Sequence, residues 1–406
     1  MSINLIKKDA NRYDLGFILL IILCAVLLLS SFRHLIFYGG ADEGYYFRYA
    51  AVINECGPRA FPALFRIYIS DQANWVLPSP LRIAFISLSA LWLRIFGMTY
   101  FSLSSLSLFS YLLMLGVSYY FAKKYFGERY ALFFVVLIGF SPLNMAMARR
   151  ALLDSTANLF LVSSMWLFFD MLEDRKKFKH VFFTAIYAIA ILMKESAVLL
   201  IPVFISYLFI RKYGLKKDVM RNDFLSASIY PAAITAAIYL IASGSVSNVL
   251  KIARIIISSP ATNQYAVLYC SGSWIRYITD FFLISPLVLL FALGFIISYL
   301  SSKKRDVKIA YFLIVTVVYY LILNLFAKNI RYAMLLDIPL RLFALGAVLR
   351  LTENRGGKYR HLYAPIIILA LAAYDYMSFY RLFIADGIYD PVSALLLSAR
   401  GIALPR

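Results

Sequence analysis

Charged residues, histidine and cysteine are all scarce in this chain. Of its 406 residues only 15% are charged and 62% are hydrophobic, a balance far from that of soluble domains. Three histidines are too few for a histidine-rich metal site, so any general base is expected to be a carboxylate. Three cysteines match no metal-site spacing. The chain also lacks a glycine-rich phosphate loop and a G-x-S-x-G motif, so it offers no cradle for a soluble nucleotide.

Long apolar runs dominate what is present. The first continues for a full membrane span, which distinguishes it from a cleavable secretory signal, and alternating strand patterns are absent. Runs of about 20 apolar residues predict eleven transmembrane helices in an all-α polytopic membrane protein. These spans lie near residues 15–37, 100–122, 130–148, 155–172, 181–194, 196–210, 223–243, 281–300, 309–327, 333–350 and 362–376.

The net charge of +20 comes from short basic clusters between the apolar runs. That arrangement is typical of the positive-inside rule and disfavours nucleic-acid binding. The segment 80–97, which carries Arg82 and Arg94, decides the topology because it is short for a span. If it does not cross the membrane, all basic clusters share one side with the N-terminus. We therefore predict a helix embedded from outside, a cytoplasmic N-terminus and an external C-terminal tail, in a plasma or inner membrane.

This topology predicts a single transmembrane domain over 1–406 with three external segments. They are a first loop at 38–98 with juxtamembrane helices and the embedded helix, a loop at 244–280, and a tail at 377–406. No large soluble C-terminal domain is expected. Cys56 and Cys270 both fall in external segments, and the sequence leaves open whether they pair. No internal repeat of the kind found in many transporters is present.

Charged side chains at the ends of several predicted helices fall on the external face. Asp42 and Glu43 follow the first span, and Asp154 opens another. Lys194 interrupts an apolar stretch of about 25 residues, the length of a long span. Arg331 opens a late span, where a cation opposes the helix dipole and calls for an anionic partner such as a bound phosphate.

Each of these charges also has a purely structural interpretation. Asp42, Glu43 or Asp154 could cap a helix, and Lys194 could form an ion pair within a tight turn. Asp154 could likewise pair with the arginines that precede it, Arg149 or Arg150. Asp42 and Glu43 are adjacent and so point in different directions, which argues against a shared acid–base role.

Taken together, the external charges predict a site at the lipid boundary with a carboxylate base and several cations. A substrate whose leaving group is a phosphate on a lipid tail fits such a site. The base would deprotonate an acceptor hydroxyl, and the cations would stabilise charge on the departing phosphate. The carboxylates could also hold Mg²⁺ or Mn²⁺, although no dedicated ligand set is visible and no metal is assigned.

The order of motifs resembles a known family. The motifs are ADEGYY at 41–46, LPSPL at 77–81, SPLNMAMARRALLDSTANLF at 141–160, LMKESAVLLIP at 192–202 and the Arg-Tyr pair at 331–332. In order and sidedness they resemble the GT-C glycosyltransferases of the protein O-mannosyltransferase and aminoarabinose transferase type. The likeness covers residues 1–210 and extends to Arg331 and Tyr332.

The resemblance implies inverting transfer of a sugar from a polyprenyl-phosphate donor to a lipid, glycan or protein acceptor at the extracytoplasmic face. By analogy Asp42 is the catalytic or acceptor-orienting carboxylate, Glu43 its helper and Asp154 the second acid. The donor phosphate would be engaged by Lys194, Arg149, Arg331, Tyr332 and Arg82. Relatives of the aminoarabinose type usually have a lysine before the proline step, where this chain has Leu77 and Pro78, so Arg82 or Arg66 would have to replace it.

Two other functions stay open at this point. A flippase or transporter of lipid-linked sugars would distribute charge through the membrane depth, whereas the predicted mid-span residues here are apolar. A glycan ligase that uses a diphosphate-linked donor would need more external cations, which Lys251, Arg254 and Arg276 could supply.

Overall fold

A computed structural model describes residues 2–302, 306–353 and 359–402, and every regular element within these ranges is helical. Seven helices in these ranges are long and apolar enough to cross a membrane. They are Arg12–His34, Tyr100–Phe126, Asp154–Asp174, Glu195–Gly214, Arg221–Ser243, Ile330–Glu353 and His361–Ala385. The protein is therefore an all-α integral membrane protein, as the apolar runs predict.

Each of the eleven predicted spans contains a helix, but length and composition alone support seven or eight crossings in the described ranges. Three predicted spans correspond to shorter helices of 15 or 17 residues, namely Lys177–Met193, Pro286–Leu300 and Val307–Leu323. A helix of 17 residues is about 26 Å long, slightly less than the hydrocarbon thickness. The count of eleven stays a prediction.

The predicted span 130–148 is broken in the structure. Helices Glu128–Gly139 and Pro142–Ala148 meet at an angle of 64°. Pro142 cannot donate the hydrogen bond that would continue the first helix, and the Ser141 hydroxyl instead caps the second by accepting from the Asn144 amide at 3.2 Å. The break turns the chain just before the segment that carries the paired arginines.

The helix in segment 80–97 runs over Ile83–Phe96 and is about 21 Å long. Before it, Arg82 contacts the Tyr46 hydroxyl; after it, Met98 accepts a hydrogen bond from Asn54 at 3.4 Å. Tyr46 and Asn54 lie on one helix, Asp42–Cys56, so the two helices run side by side. The structure thus packs the segment along this helix, and its embedding in one leaflet stays a prediction.

Five further helices in the described ranges have 6 to 17 residues. They are Phe61–Ser70, Val246–Thr262, Gln264–Tyr269, Arg276–Ile284 and Ser393–Ala399. The three cysteines are unpaired, with Cys24 and Cys270 buried and Cys56 exposed.

Basic residues at the opposite face pair with acids there. Lys123 Nζ lies 2.7 Å from Asp14 Oδ1, and Lys179 Nζ lies 2.5 Å from Asp170 Oδ2. The N-terminal helix thus shares this face with the basic clusters, as the topology requires. Other basic residues of the predicted clusters, at 303–305, 355 and 358, lie outside the described residues.

The prediction that mid-span residues are apolar is wrong for one network inside the bundle. Arg341 is fully buried and donates to Asp337 at 2.8 Å and Asp375 at 2.7 Å. It also donates to the Leu137 carbonyl at 2.7 Å, and Asn144 donates to Asp337 at 2.8 Å. Charges from two spans satisfy one another here, and averaged hydropathy hides them because their neighbours in sequence are apolar.

Candidate active site

Four helix ends at one face of the bundle carry charged side chains into a common group. Asp42 is the first residue of helix Asp42–Cys56, and Asp154 is the first residue of Asp154–Asp174. Lys194 directly follows helix Lys177–Met193. Arg331 lies in the 3₁₀ turn Ile330–Ala333 that leads into helix Met334–Glu353. The two acids stand where the helix dipole favours negative charge, whereas Arg331 depends on neighbouring anions.

Arg331 is the centre of this group. Its Nη1 lies 3.5 Å from Asp154 Oδ2, its Nη2 lies 3.6 Å from Asp42 Oδ2, and its Nε lies 3.2 Å from Asp390 Oδ1. The side chain is only 10% exposed. Three carboxylates from distant parts of the chain therefore surround one guanidinium, as its position at a helix start requires.

Arg331 is held mainly by its ion pairs with the three carboxylates and only weakly by hydrogen bonds. Among the described residues, its guanidinium donates one hydrogen bond, the long contact to Asp154, and its Nε is buried without an acceptor in bonding geometry. The ion pair with Asp390 at Nε is therefore close but poorly aligned. Because a guanidinium carries five N–H groups, most of its donors stay available to a further anion.

Lys194, next to Arg331, also has more N–H donors than acceptors around it among the described residues. Its buried ammonium donates to Asp154 Oδ1 at 2.9 Å and lies 4.9 Å from the centre of the Tyr332 ring. Within the described part of the chain this is its one hydrogen bond, although an ammonium has three N–H groups. Asp154 thus holds Lys194 and Arg331 side by side, each with donors to spare.

Asp42 is the most accessible acid of the group. Its side chain is 37% exposed, and Arg331 at 3.6 Å is its sole ion-pair partner among the described residues. Its carboxylate therefore has accepting capacity open to the outside of the bundle. A group with this placement can accept a proton from a molecule that approaches from that side.

Arg82 is brought close to the group but is already engaged. Its Nε and Nη2 donate to the two carboxylate oxygens of Glu195 at 3.1 and 3.0 Å, and its Nη1 contacts the Tyr46 hydroxyl. Burial alone would lower the pKa of Arg82, but the Glu195 carboxylate raises it well above its ordinary value. Arg66, its predicted alternative, is exposed on helix Phe61–Ser70, with no contact to Arg331 or Lys194 among the described residues.

Glu43 points away from Arg331 and is completely buried. It accepts hydrogen bonds from Arg150 at 2.9 and 2.7 Å, from the Ala151 amide at 3.1 Å and from the Tyr38 amide at 3.1 Å. The carboxylate is therefore saturated by four donors. It fastens the chain before Asp42 to the segment that precedes Asp154.

Arg149, a predicted phosphate ligand, lies outside the Arg331 group. Its terminal nitrogens donate to the carbonyls of Phe383 at 2.8 Å and Ser31 at 3.0 Å. Burial, together with the neighbouring Arg150, lowers the pKa of Arg149 to about 10. The structure thus joins Asp42, Asp154, Lys194 and Arg331, with Tyr332 beside Lys194, and keeps Glu43 and Arg149 apart from them.

Sequence reasoning missed Asp390, which contacts Arg331 from the C-terminal segment. It lies in the motif IYDP within the predicted external tail, so the sequence predicts its side of the membrane. The sequence does not predict its contact with Arg331. Sequence reasoning likewise assigned a role to Arg149 and missed Arg150, which pairs with Glu43. In a non-helical turn such as 149–153, residue spacing does not reveal which of two adjacent arginines faces inward.

The acids of the group do not form a metal site within the described ranges. No set of three or more histidine, cysteine, aspartate or glutamate residues there is close enough to hold an ion. Asp42, Asp154 and Asp390 all face Arg331, whose guanidinium occupies the space between them. The guanidinium thus takes the place between these carboxylates.

Comparison with known proteins places this arrangement in context. Residues 80–242 match the family described as dolichyl-phosphate-mannose-protein mannosyltransferase. No curated protein matches the chain. Among solved structures, the chain is similar to the Archaeoglobus fulgidus oligosaccharyltransferase tethered with an acceptor peptide, with 14% identity, a TM-score of 0.62, and coverage of 89% of this chain and 54% of that one.

Two further structures contain lipid phosphates. The archaeal oligosaccharyltransferase AglB from Archaeoglobus fulgidus, in complex with an inhibitory peptide and a dolichol-phosphate, is 13% identical with a TM-score of 0.59, covering 89% of this chain and 55% of that one. ArnT from Cupriavidus metallidurans, bound to undecaprenyl phosphate, is 17% identical with a TM-score of 0.51, covering 95% of this chain and 74% of that one. The chain has a GT-C fold.

The GT-C fold confirms the resemblance inferred from motif order at the level of architecture. The chain spans about half the length of the oligosaccharyltransferase to which it is similar. Within this fold the Arg331 group lies where four helix ends meet at one face of the bundle.

Proposed function

We propose that the protein transfers a sugar from a polyprenyl-phosphate donor to a hydroxyl group of a lipid, glycan or protein acceptor. The observation that carries this proposal is the pair Lys194 and Arg331, the first buried and the second 10% exposed, both held by Asp154 and both with N–H groups to spare. Such a pair suits a phosphate group. The GT-C fold and the lipid phosphates bound in two similar structures support the same substrate class.

In the proposed reaction, Asp42 accepts the proton of the acceptor hydroxyl while its oxygen attacks the anomeric carbon. The bond between that carbon and the phosphate oxygen breaks, and polyprenyl phosphate leaves with the electron pair. Attack opposite the departing phosphate inverts the anomeric centre. Lys194 and Arg331 stabilise the charge that develops on the phosphate, and such contacts strengthen as the bond breaks. We assign the reaction to the extracytoplasmic face, since the N-terminal helix and the basic clusters lie opposite the site.

The remaining predicted site residues receive supporting roles in this proposal. Tyr332 packs its ring against the Lys194 ammonium and orients it. Arg82, paired with Glu195, fixes the approach of the segment after LPSPL and adds positive potential beside the phosphate. Glu43 fixes the loop that carries Asp42, and Arg149 ties the first span to the C-terminal segment.

The decisive experiment measures sugar transfer by the purified protein from a panel of labelled polyprenyl-phosphate sugars to acceptor extracts. Asp42→Asn is expected to lower kcat by roughly 100- to 10,000-fold, the usual contribution of a general base. Lys194→Gln is expected to lower it by roughly 100- to 1,000-fold through loss of charge stabilisation. Glu55→Gln, an exposed acid at the far end of the same helix as Asp42, is the matched control and should keep wild-type activity.

Full activity of Asp42→Asn would remove this acid from the mechanism. Movement of lipid-linked sugars across reconstituted vesicles without bond cleavage would favour the transporter instead. A donor preference for lipid diphosphate sugars would favour the glycan ligase.

A further inference from the structure

Asp390 lies on the C-terminal segment and contacts Arg331 at Nε, whereas Asp42 and Asp154 contact its terminal nitrogens. Its carboxylate is buried, and Oδ1 accepts from Asn329 Nδ2 at 2.8 Å in addition to its ion pair with Arg331 Nε at 3.2 Å. Oδ2 accepts from the Tyr265 hydroxyl. Both oxygens are therefore held by neutral donors, so Asp390 is a fixed point charge within the group.

We propose that Asp390 is a positioning residue that sets both the direction and the effective charge of Arg331. This inference rests on the proposed function, in which Arg331 binds the donor phosphate. A guanidinium is a rigid planar fork, so the attraction of a fixed charge 3.2 Å from Nε, although not in hydrogen-bonding geometry, restricts where Nη1 and Nη2 point. Here they point towards Asp154 and Asp42, the two acids between which donor and acceptor meet.

The same contact weakens the attraction of Arg331 for anions. Asp390 is one of three carboxylates around a single guanidinium, and each lowers the positive potential that a phosphate experiences. A site that held the lipid phosphate at full strength would also retain it after transfer. Asp390 therefore lowers the affinity of the site for the lipid phosphate and so speeds its release. Product release is a common rate-limiting step in enzymes.

Two external segments meet at Asp390 and make this control depend on their packing. Tyr265 belongs to helix Gln264–Tyr269 of the 244–280 loop, whereas Asp390 belongs to the tail. Burial, and then the Asp390 charge, raise the pKa of Tyr265 far above its ordinary value, so its hydroxyl stays a proton donor to the carboxylate. Loss of the Tyr265 hydroxyl leaves the Asp390 charge in place but frees its Oδ2, so it tests the positioning of Asp390 separately from its charge.

The test compares Asp390→Asn, which keeps the size of the side chain and removes its charge, with the wild-type chain. Undecaprenyl phosphate should bind the variant roughly tenfold more tightly, the effect of one charge-assisted contact, while kcat falls and KM for the donor falls with it. Tyr265→Phe keeps the Asp390 charge but loosens the carboxylate, so it should lower kcat without tightening the binding of undecaprenyl phosphate. Asp390→Glu restores the charge and should return affinity towards the wild-type value.

Asp386→Asn is the matched control, because Asp386 is exposed on the same segment and has no ion pair with Arg331. Unchanged affinity for undecaprenyl phosphate in Asp390→Asn, or affinity and stability that fall together, would overturn the proposal. The binding measurement, made by calorimetry on the full purified chain, does not depend on catalysis. If wild-type protein transfers no sugar from any donor, the proposed function fails, and the binding comparison still decides the role of Asp390.

Discussion

At the scale of single residues, Asp42 and Glu43 show how two adjacent acids acquire different environments. Asp42 is partly exposed beside Arg331, whereas Glu43 is sealed and takes four hydrogen bonds. Their adjacency in the sequence predicts that they diverge. Which of them faces Arg331 depends on Arg150, a partner more than 100 positions away, and local pattern carries no information about it.

Glu43→Gln should destabilise the protein by about 3–5 kcal/mol, because it leaves Arg150 buried without its anion. The measurement is the apparent melting temperature of the purified protein in detergent, with Asp42→Asn as the comparison. Asp42 is partly exposed and pairs at 3.6 Å, so its variant should melt close to the wild type. Equal melting temperatures for Glu43→Gln and wild type would show that Glu43 does not hold this part of the fold together.

At the scale of elements, the start of helix Asp42–Cys56 is fitted tightly against the turn before it. A methyl group at Gly44 would collide with the backbone carbonyl of Gly39, and backbone atoms cannot move aside as a side-chain tip can. Gly44→Ala should therefore displace the turn at Gly39 and Gly40, shift Asp42 and reduce both stability and transfer activity. Gly116→Ala is the control, since no atom lies near its added methyl group and alanine favours a helix by about 1 kcal/mol.

Wild-type melting and activity in Gly44→Ala would mean that the turn relaxes freely and does not position Asp42. The sequence predicts this helix and its acidic first turn, but not the contact between two glycines that sets its angle. The same limit applies to the broken helix at Ser141 and Pro142. Apolar composition continues across the break, so counting apolar residues predicts one span where the structure has two helices, Glu128–Gly139 and Pro142–Ala148.

At the scale of the whole molecule, the two faces of the bundle follow from how charge is distributed along the chain. Basic clusters, read with the positive-inside rule, predict that the ends carrying Asp42, Asp154, Lys194 and Arg331 share a face, and the structure brings those four side chains together. The buried Arg341 network is not predicted, because hydropathy is averaged over windows of about 20 residues. The charges of Arg341, Asp337 and Asp375 change these averages little.

The orientation of these faces in the membrane can be tested with the chain's own thiols. Cys56 is exposed at the end of helix Asp42–Cys56, whereas Cys24 and Cys270 are buried, so a membrane-impermeant maleimide should label Cys56 alone in intact cells. In a Cys56→Ser background, Arg129→Cys adds a thiol at the opposite face, where Arg129 is exposed at the start of helix Glu128–Gly139. It should react only after the membrane is permeabilised, because the positive-inside rule predicts that the basic clusters lie in the cytoplasm. Labelling of Arg129→Cys in intact cells, with Cys56 protected in the parent, would put the Arg331 group in the cytoplasm, where it would face a different pool of donors and acceptors.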